Sequence, residues 1–152
     1  MAQGAGDGSG RFRRTPYGER MSQPLPEAAR AVVDGVNFAT VATLEPDGSP
    51  QTSVVWITRD GDDLLFSTVL GRRKARNMQR DPRVSVLVLD HANPYSYLEV
   101  RGTVTMTEQG GRALIDELAG KYRGLDRYPW DDGTDNVRVV CRVHATRVVA
   151  HG

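Results

Sequence analysis

From residue 37 onward, short stretches rich in apolar and β-branched residues are separated by turn sequences. This pattern predicts six β-strands, at residues 37–44, 50–58, 63–68, 83–90, 95–107 and 137–150. The first two connections, residues 45–48 and 59–62, are short and rich in Asp, Gly and Pro, as tight turns are. Because tight turns join antiparallel strands, we expect an antiparallel meander instead of parallel strands linked by helices.

Three further stretches, residues 22–35, 71–80 and 108–122, have the composition of helices. Thr107 is the predicted N-cap of the third. Gly102, in the middle of the long fifth strand, predicts a bulge or a sharp bend. The predicted fold class is therefore mainly β (α+β), a six-stranded antiparallel barrel with peripheral helices, because closing the sheet removes its exposed edges.

Composition limits the class of protein. Residues 1–21 are Gly-rich and poor in apolar residues, so we expect a flexible N-terminal tail followed by one domain, residues 22–152. The net charge of +1 favours neither nucleic acid nor a membrane surface as a partner. No apolar run approaches the roughly 20 residues of a membrane span, and the start lacks an apolar secretion signal. With Cys141 as the single cysteine, a cytoplasmic protein without disulfides is expected.

The stretch most typical of a binding site is FSTVLGRRKARN, residues 66–77. Two hydroxyl residues end a strand, a glycine turns the chain, and three cations occupy the predicted first turn of a helix. These residues are Ser67, Thr68, Gly71, Arg72, Arg73 and Lys74. The positive end of a helix disfavours cations unless they bind an anion together with the free backbone N–H groups. The stretch therefore predicts a phosphate clamp, and a solvated basic helix start is the alternative interpretation.

Other chemistries find little support. His91, His144 and His151 do not have the spacing of metal ligands, so no metal site is predicted. The sequence also contains no nucleophile elbow, no Walker loop and no dinucleotide-binding glycine motif.

Three segments carry a resemblance to a known family: FATVATLEPDGSPQTSVVW, LLFSTVLGRRKARNMQRDPRVSVLV and YLEVRGTVTMT. With the order of the elements, they resemble the split-barrel flavoprotein superfamily typified by pyridoxamine 5′-phosphate oxidase. The resemblance covers roughly residues 26–149. The second segment is most similar to the branch that uses a deazaflavin, coenzyme F420.

The resemblance implies that the cofactor is held from three places. The second strand lies along the tricyclic ring, the end of the third strand contacts the ring edge and the ribityl chain, and the following helix start holds the phosphate. The implied residues are, in that order, Ser53, Val54, Val55 and Trp56; Ser67 and Thr68; and Arg72, Arg73 and Lys74. For Trp56, ordinary core packing is the alternative.

The resemblance also implies a homodimer with the cofactor at the subunit interface. Tyr95 and Tyr97 are then candidates to line the substrate space of the partner subunit, with ordinary packing as the alternative. Tyr97 or a bound water could donate a proton, and the catalytic residue stays unknown.

The function implied is hydride transfer between reduced coenzyme F420 and a small organic substrate. An FMN-dependent oxidase and a non-catalytic carrier of the cofactor are the alternatives. Both cofactors present a ribityl phosphate, so the clamp does not distinguish them. The acidic tail of the deazaflavin needs further cations, for which Arg76, Arg80 and the arginines of the N-terminal tail are available.

Overall fold

The computed structural model describes residues 23–152, and the predicted N-terminal tail lies outside the described residues. The helices are α1 (Glu27–Asp34), α2 (Arg73–Arg80) and α3 (Gly111–Arg123). The strands are β1 (Ala39–Leu44), β2 (Pro50–Val55), β3 (Thr58–Asp60), β4 (Asp63–Val69), β5 (Arg83–Leu89), β6 (Tyr97–Thr107) and β7 (Arg138–His151). None of these helices is long and apolar enough to cross a membrane.

All the strands form one antiparallel sheet in the order β2-β1-β5-β6-β7-β4-β3, which confirms the predicted antiparallel, mainly β class. The count of six was wrong, because the predicted strand 50–58 breaks at Trp56 and Ile57 into two strands. β2 and β3 form opposite edges of the sheet although only these two residues separate them. The sheet therefore curls until its edges lie within roughly 10 Å of each other. It is a split barrel whose edges remain open.

The interior of the barrel and the space under α3 hold separate apolar clusters. β4 contributes to both, because alternate side chains of a strand point to opposite faces. Leu64 and Phe66 are fully buried in the main core, whereas Leu65 packs with Val140 of β7 in the second cluster. Leu114, Ile115 and Leu118 cover this second cluster from α3. The helix thus lies against the outer face of β4 and β7.

Two glycines mark close backbone contacts. The pairing of β6 with β7 shifts register between Arg101 and Gly102, which confirms the predicted irregularity. A Cβ on Gly102 would lie only 2.0 Å from the carbonyl oxygen of His144.

The predicted N-cap of α3 was wrong: Gly110, with φ +82°, precedes the helix instead of Thr107. A Cβ on Gly111, the first residue of α3, would lie only 2.1 Å from the carbonyl oxygen of Arg138.

A short chain of polar side chains holds α2 on the barrel. The buried Asn77 amide donates to the Thr43 hydroxyl (3.0 Å), which donates to the Gln51 side-chain carbonyl (3.0 Å). Asn77 is on α2, Thr43 on β1 and Gln51 on β2. Gly71, with φ +94°, turns the chain between β4 and this helix, as predicted. The first turn of α2 is therefore fixed next to the end of β4.

At the opposite end of β4, a charged cluster lies between β3, β4 and β7. The Arg142 guanidinium donates to Asp63 and to Asp60, both at 2.9 Å, and both aspartates are buried. His144 Nδ1 lies 3.5 Å from the second oxygen of Asp63. Burial raises the pKa of Asp63, and the Arg142 hydrogen bond opposes that rise. The cluster joins the edge strand β3 to the rest of the sheet.

Candidate functional site

A cavity of about 200 Å³ lies between the end of β2, the end of β4 and the starts of α2 and β7, below α3. Its apolar side is formed by Phe38, Val54, Val55, Trp56, Ile115, Leu118 and Tyr128. Its polar side is formed by Ser67, Arg72, Lys74 and Arg138. Hydroxyl, ammonium and guanidinium groups are ligands for an anion. Within residues 23–152, no group of three His, Cys, Asp or Glu side chains is arranged to hold a metal ion.

The polar side concentrates positive charge. The side chains of Arg72 and Lys74 have no hydrogen-bond or ion-pair partner among the described residues. Burial lowers the pKa of Lys74, and the charges of Arg72 and Arg138 lower it further. A bound anion would replace the hydration that Lys74 loses on burial and would offset the repulsion between Lys74 and the two arginines. The arrangement is therefore that of an anion site.

The first turn of α2 adds backbone donors to the same place. Arg72 is the N-cap, and no side chain caps the helix. The first-turn N–H groups of Arg73, Lys74 and Ala75 consequently lack a side-chain acceptor. Such a turn binds phosphate oxygens through its N–H groups and its dipole. The cations and the helix start thus both favour a negatively charged ligand.

Arg138 belongs to the site although its role could not be assigned from the sequence. Its guanidinium donates to Asp131 at 2.7 and 3.2 Å, lies 3.5 Å from the Ser67 hydroxyl, and sits 4.7 Å from the centre of the Tyr128 ring. Hydrogen bonding to Arg138 lowers the pKa of Asp131. The sequence shows only that Arg138 is an arginine in a valine-rich strand. Which residues it contacts depends on the strand pairing that places Arg138 opposite Val69 at the end of β4.

The apolar side is built on Trp56, at the break between β2 and β3. Its indole is stacked on Tyr122, with ring centres 5.4 Å apart and planes 6° apart, and meets Tyr128 edge-on at 6.1 Å. Trp56 therefore both packs against the second cluster and lines the cavity. Beside it, Phe38 is 57% exposed and Val54 66% exposed, so the cavity is open on that side.

Three of the predicted cofactor residues do not line the cavity. Arg73 points to Glu45, with which it forms an ion pair at 3.4 Å. The hydroxyls of Ser53 and Thr68 are buried and have no hydrogen-bond partner within the described part of the chain. Thr68 follows Ser67 on β4, so its side chain points to the opposite face of the strand. The structure thus brings together Val54, Val55, Trp56, Ser67, Arg72 and Lys74 from the predicted set.

Tyr95 and Tyr97 also lie away from this cavity in their own chain. Tyr95 precedes β6 and is 80% exposed. Tyr97 opens β6 and is stacked on His151, with ring centres 5.4 Å apart. Their predicted role in a partner's substrate space stays a prediction.

Comparisons with known proteins show the family of this chain and further proteins that share its fold. Residues 25–149 match the family model for pyridoxamine 5′-phosphate oxidase. A solved structure named F420 reductase is 32% identical, covers 82% of this chain and 98% of its own, and has a TM-score of 0.73. A conserved hypothetical protein from Mycobacterium tuberculosis is 21% identical, with coverages of 92% and 89% and a TM-score of 0.66. General stress protein 26 from Bacillus anthracis is 15% identical, with coverages of 82% and 92% and a TM-score of 0.62. The last two share the fold.

Proposed function

The chain belongs to the pyridoxamine 5′-phosphate oxidase family, and on that basis we propose that it is a cytoplasmic oxidoreductase that uses coenzyme F420 to exchange a hydride with a small organic substrate. The observation that carries the proposal is the cavity, which Arg72, Lys74 and Arg138 line together with apolar residues of β2 and α3. A cofactor with a flat ring at one end and a phosphate further along matches these two sides. When bound, the cofactor supplies the hydride chemistry.

The chain itself binds and orients the cofactor. Arg72, Lys74 and the first-turn N–H groups of α2 hold the phosphate, with Arg138 and Ser67 beside them. The wall formed by Val54, Val55 and Trp56 holds the ring and excludes water from it. No catalytic residue is assigned.

The choice of the deazaflavin over FMN is supported by Arg76 and by the name of the 32% identical structure, F420 reductase. Arg76 lies one helical turn beyond Arg72 and is exposed, and its side chain has no hydrogen-bond or ion-pair partner among the described residues. An acidic tail that continues from the phosphate along α2 would meet this charge. Arg80 instead donates to the Leu44 carbonyl and to Asn77.

Arg76→Glu is expected to weaken binding of coenzyme F420 by about 3- to 10-fold, because the reversed charge repels the acidic tail at an exposed site. FMN, which ends at its phosphate, should bind equally well to both proteins. Fluorescence titrations with the two cofactors at physiological salt measure the difference. Arg147→Glu, which makes the same change on β7 far from the cavity, is the matched control.

These titrations also test the function itself. Tight binding of FMN alone by the wild type would replace the proposal with the FMN-dependent alternative. Binding of neither cofactor would refute both. An equal loss of both cofactors in Arg76→Glu would show that Arg76 acts on the phosphate and not on a tail.

We further propose that the protein is a homodimer with the cofactor between its subunits. A volume of about 200 Å³ is small beside the roughly 300–1,000 Å³ of sites that enclose ligands of this size. The open side of the cavity continues into an apolar face on β2, β1 and β5. Val54 and Leu87 flank Thr40 on this face, and both are exposed, as is Leu89. A second subunit on this face would close the cavity.

Leu87→Arg is expected to shift the protein to monomers, with a dimer dissociation constant raised at least about 10-fold, because an unpaired charge in an apolar interface is costly. Sedimentation velocity over a range of concentrations measures the shift. Leu125→Arg, a similar change at an exposed leucine of the loop after α3, should leave the dimer intact. A Leu87→Arg protein that stays dimeric would place the interface elsewhere.

A further inference from the structure

A row of aromatic rings runs along the apolar side of the cavity and continues into the loop after α3. The centres of neighbouring rings are 5.6 Å apart for Phe38 and Tyr122, 5.4 Å for Tyr122 and Trp56, 6.1 Å for Trp56 and Tyr128, and 5.1 Å for Tyr128 and Trp130. Phe38, Trp56 and Tyr128 line the cavity. Tyr122 does not line it, yet its ring contacts the first two of them. These contacts indicate that Tyr122 supports Phe38 and Trp56 from outside the cavity.

The hydroxyl of Tyr122 forms hydrogen bonds with the backbone next to both Phe38 and Trp56. It accepts a hydrogen bond from the Ile57 N–H (3.0 Å) and donates one to the Asn37 carbonyl (2.6 Å). Ile57 follows Trp56 directly, and Asn37 directly precedes Phe38. One side chain therefore holds each aromatic residue twice, through its ring and through the adjoining backbone.

The place that Tyr122 fixes is also where the sheet is open. Trp56 and Ile57 connect the two edge strands, so no ladder of sheet hydrogen bonds continues through them. The preceding residue, Lys121, donates to the carbonyls of Ile57 (2.7 Å) and Val33 (2.6 Å). The end of α3 thus replaces the missing sheet contacts at this connection. Burial raises the pKa of Tyr122, so its hydroxyl keeps its proton and remains a donor at neutral pH.

We propose that Tyr122 is a positioning residue that sets the orientation of Trp56 and Phe38 for the flat ring of the ligand. Stacked aromatic rings have a narrow range of favourable offsets, so a wall that moves loses contact with its ligand. The inference rests on the proposed function for the identity of the ligand. The effect on Trp56 itself does not depend on any ligand.

The test uses two variants of Tyr122 in a Trp130→Phe background, which leaves Trp56 as the only tryptophan. Tyr122→Phe keeps the ring and removes both hydroxyl hydrogen bonds, whereas Tyr122→Leu removes the ring as well. We expect access of acrylamide to Trp56 to increase in the order Trp130→Phe parent, Tyr122→Phe, Tyr122→Leu, with both variants in the same background. Cofactor affinity should fall by about 2- to 10-fold in the first variant and about 10- to 100-fold in the second.

A control separates positioning from general destabilisation. Val143→Ala leaves a cavity in the main core and lowers stability without touching the aromatic wall. Below its unfolding temperature, it should keep the affinity within about twofold and the acrylamide access of Trp56 unchanged. An equal effect of Val143→Ala, or no effect of either Tyr122 variant, would overturn the proposal. If the wild type bound neither cofactor, the proposed function would fail, and the order of acrylamide access would still decide the role of Tyr122.

Discussion

The double substitution Arg72→Ala, Lys74→Ala is expected to weaken binding of the phosphate-bearing cofactor by about 100- to 10,000-fold. Each substitution removes a hydrogen bond between charged groups, for which about 1.5–3 kcal/mol is typical. Both side chains lack partners among the described residues, so the charge they offer is available to a ligand. Either single substitution should cost about 10- to 100-fold. Fluorescence titration of the purified proteins gives the affinities.

Arg73→Ala is the matched control for this experiment. It removes the cation that lies between the other two in the sequence, but Arg73 faces Glu45 and does not line the cavity. Its affinity should remain within about threefold of the wild type, because only a screened surface charge is lost. If Arg73→Ala weakened binding as much as Lys74→Ala, the anion site would have to include the outer face of α2. Unchanged affinity in the double variant would refute the clamp.

The lowered pKa of Lys74 predicts that the cofactor affinity depends on pH. In the free protein it is lowered by burial and by Arg72, and a bound phosphate would raise it again. The ligand therefore prefers the charged lysine, so affinity should be full below the lowered pKa and fall as the pH rises through it. Titrations from about pH 8 upward should show this fall at a lower pH than an ordinary lysine gives. Lys74→Arg should abolish it, because a guanidinium does not titrate in this range.

The antiparallel class and most element boundaries follow from local patterns, because short turns, strand alternation and Gly102 are all properties of neighbouring residues. The break at Trp56 and Ile57 does not follow from them. Both residues are apolar and continue the strand pattern, and the chain leaves the strand only because its two halves join opposite edges of the sheet. The number of strands therefore depends on long-range pairing, which local sequence does not encode.

The same distinction applies to the site. Arg72 and Lys74 could be predicted because they are close in sequence to Ser67, near the end of β4. Arg138 is 71 residues from Ser67 and reaches it only through the pairing of β4 with β7. Tyr122 is likewise 65 residues from Ile57. The local sequence thus predicts one segment of the site, and tertiary contacts bring in the residues that complete it.

Arg142→Ala is expected to destabilise the protein by about 3–5 kcal/mol at neutral pH, because it leaves two buried carboxylates without their shared counter-charge. Arg142 donates to both Asp60 and Asp63, and the His144 imidazole also lies 3.5 Å from Asp63. Urea unfolding followed by circular dichroism measures the loss. Arg127→Ala, which breaks an exposed pair with Asp132, is the control and should unfold close to the wild type.

The pH dependence of this loss identifies its cause. Burial already raises the pKa of Asp63, and removing Arg142 raises it further. Between the ordinary carboxyl pKa and this raised value, the folded state binds more protons than the unfolded state, so stability increases as the pH falls. The difference between Arg142→Ala and the wild type should therefore shrink toward acid pH. Adding Asp63→Asn should recover part of the loss at neutral pH, because a neutral amide needs no counter-charge. A loss that is independent of pH and of Asp63 would mean that Arg142 stabilises the fold by packing and not by its charge.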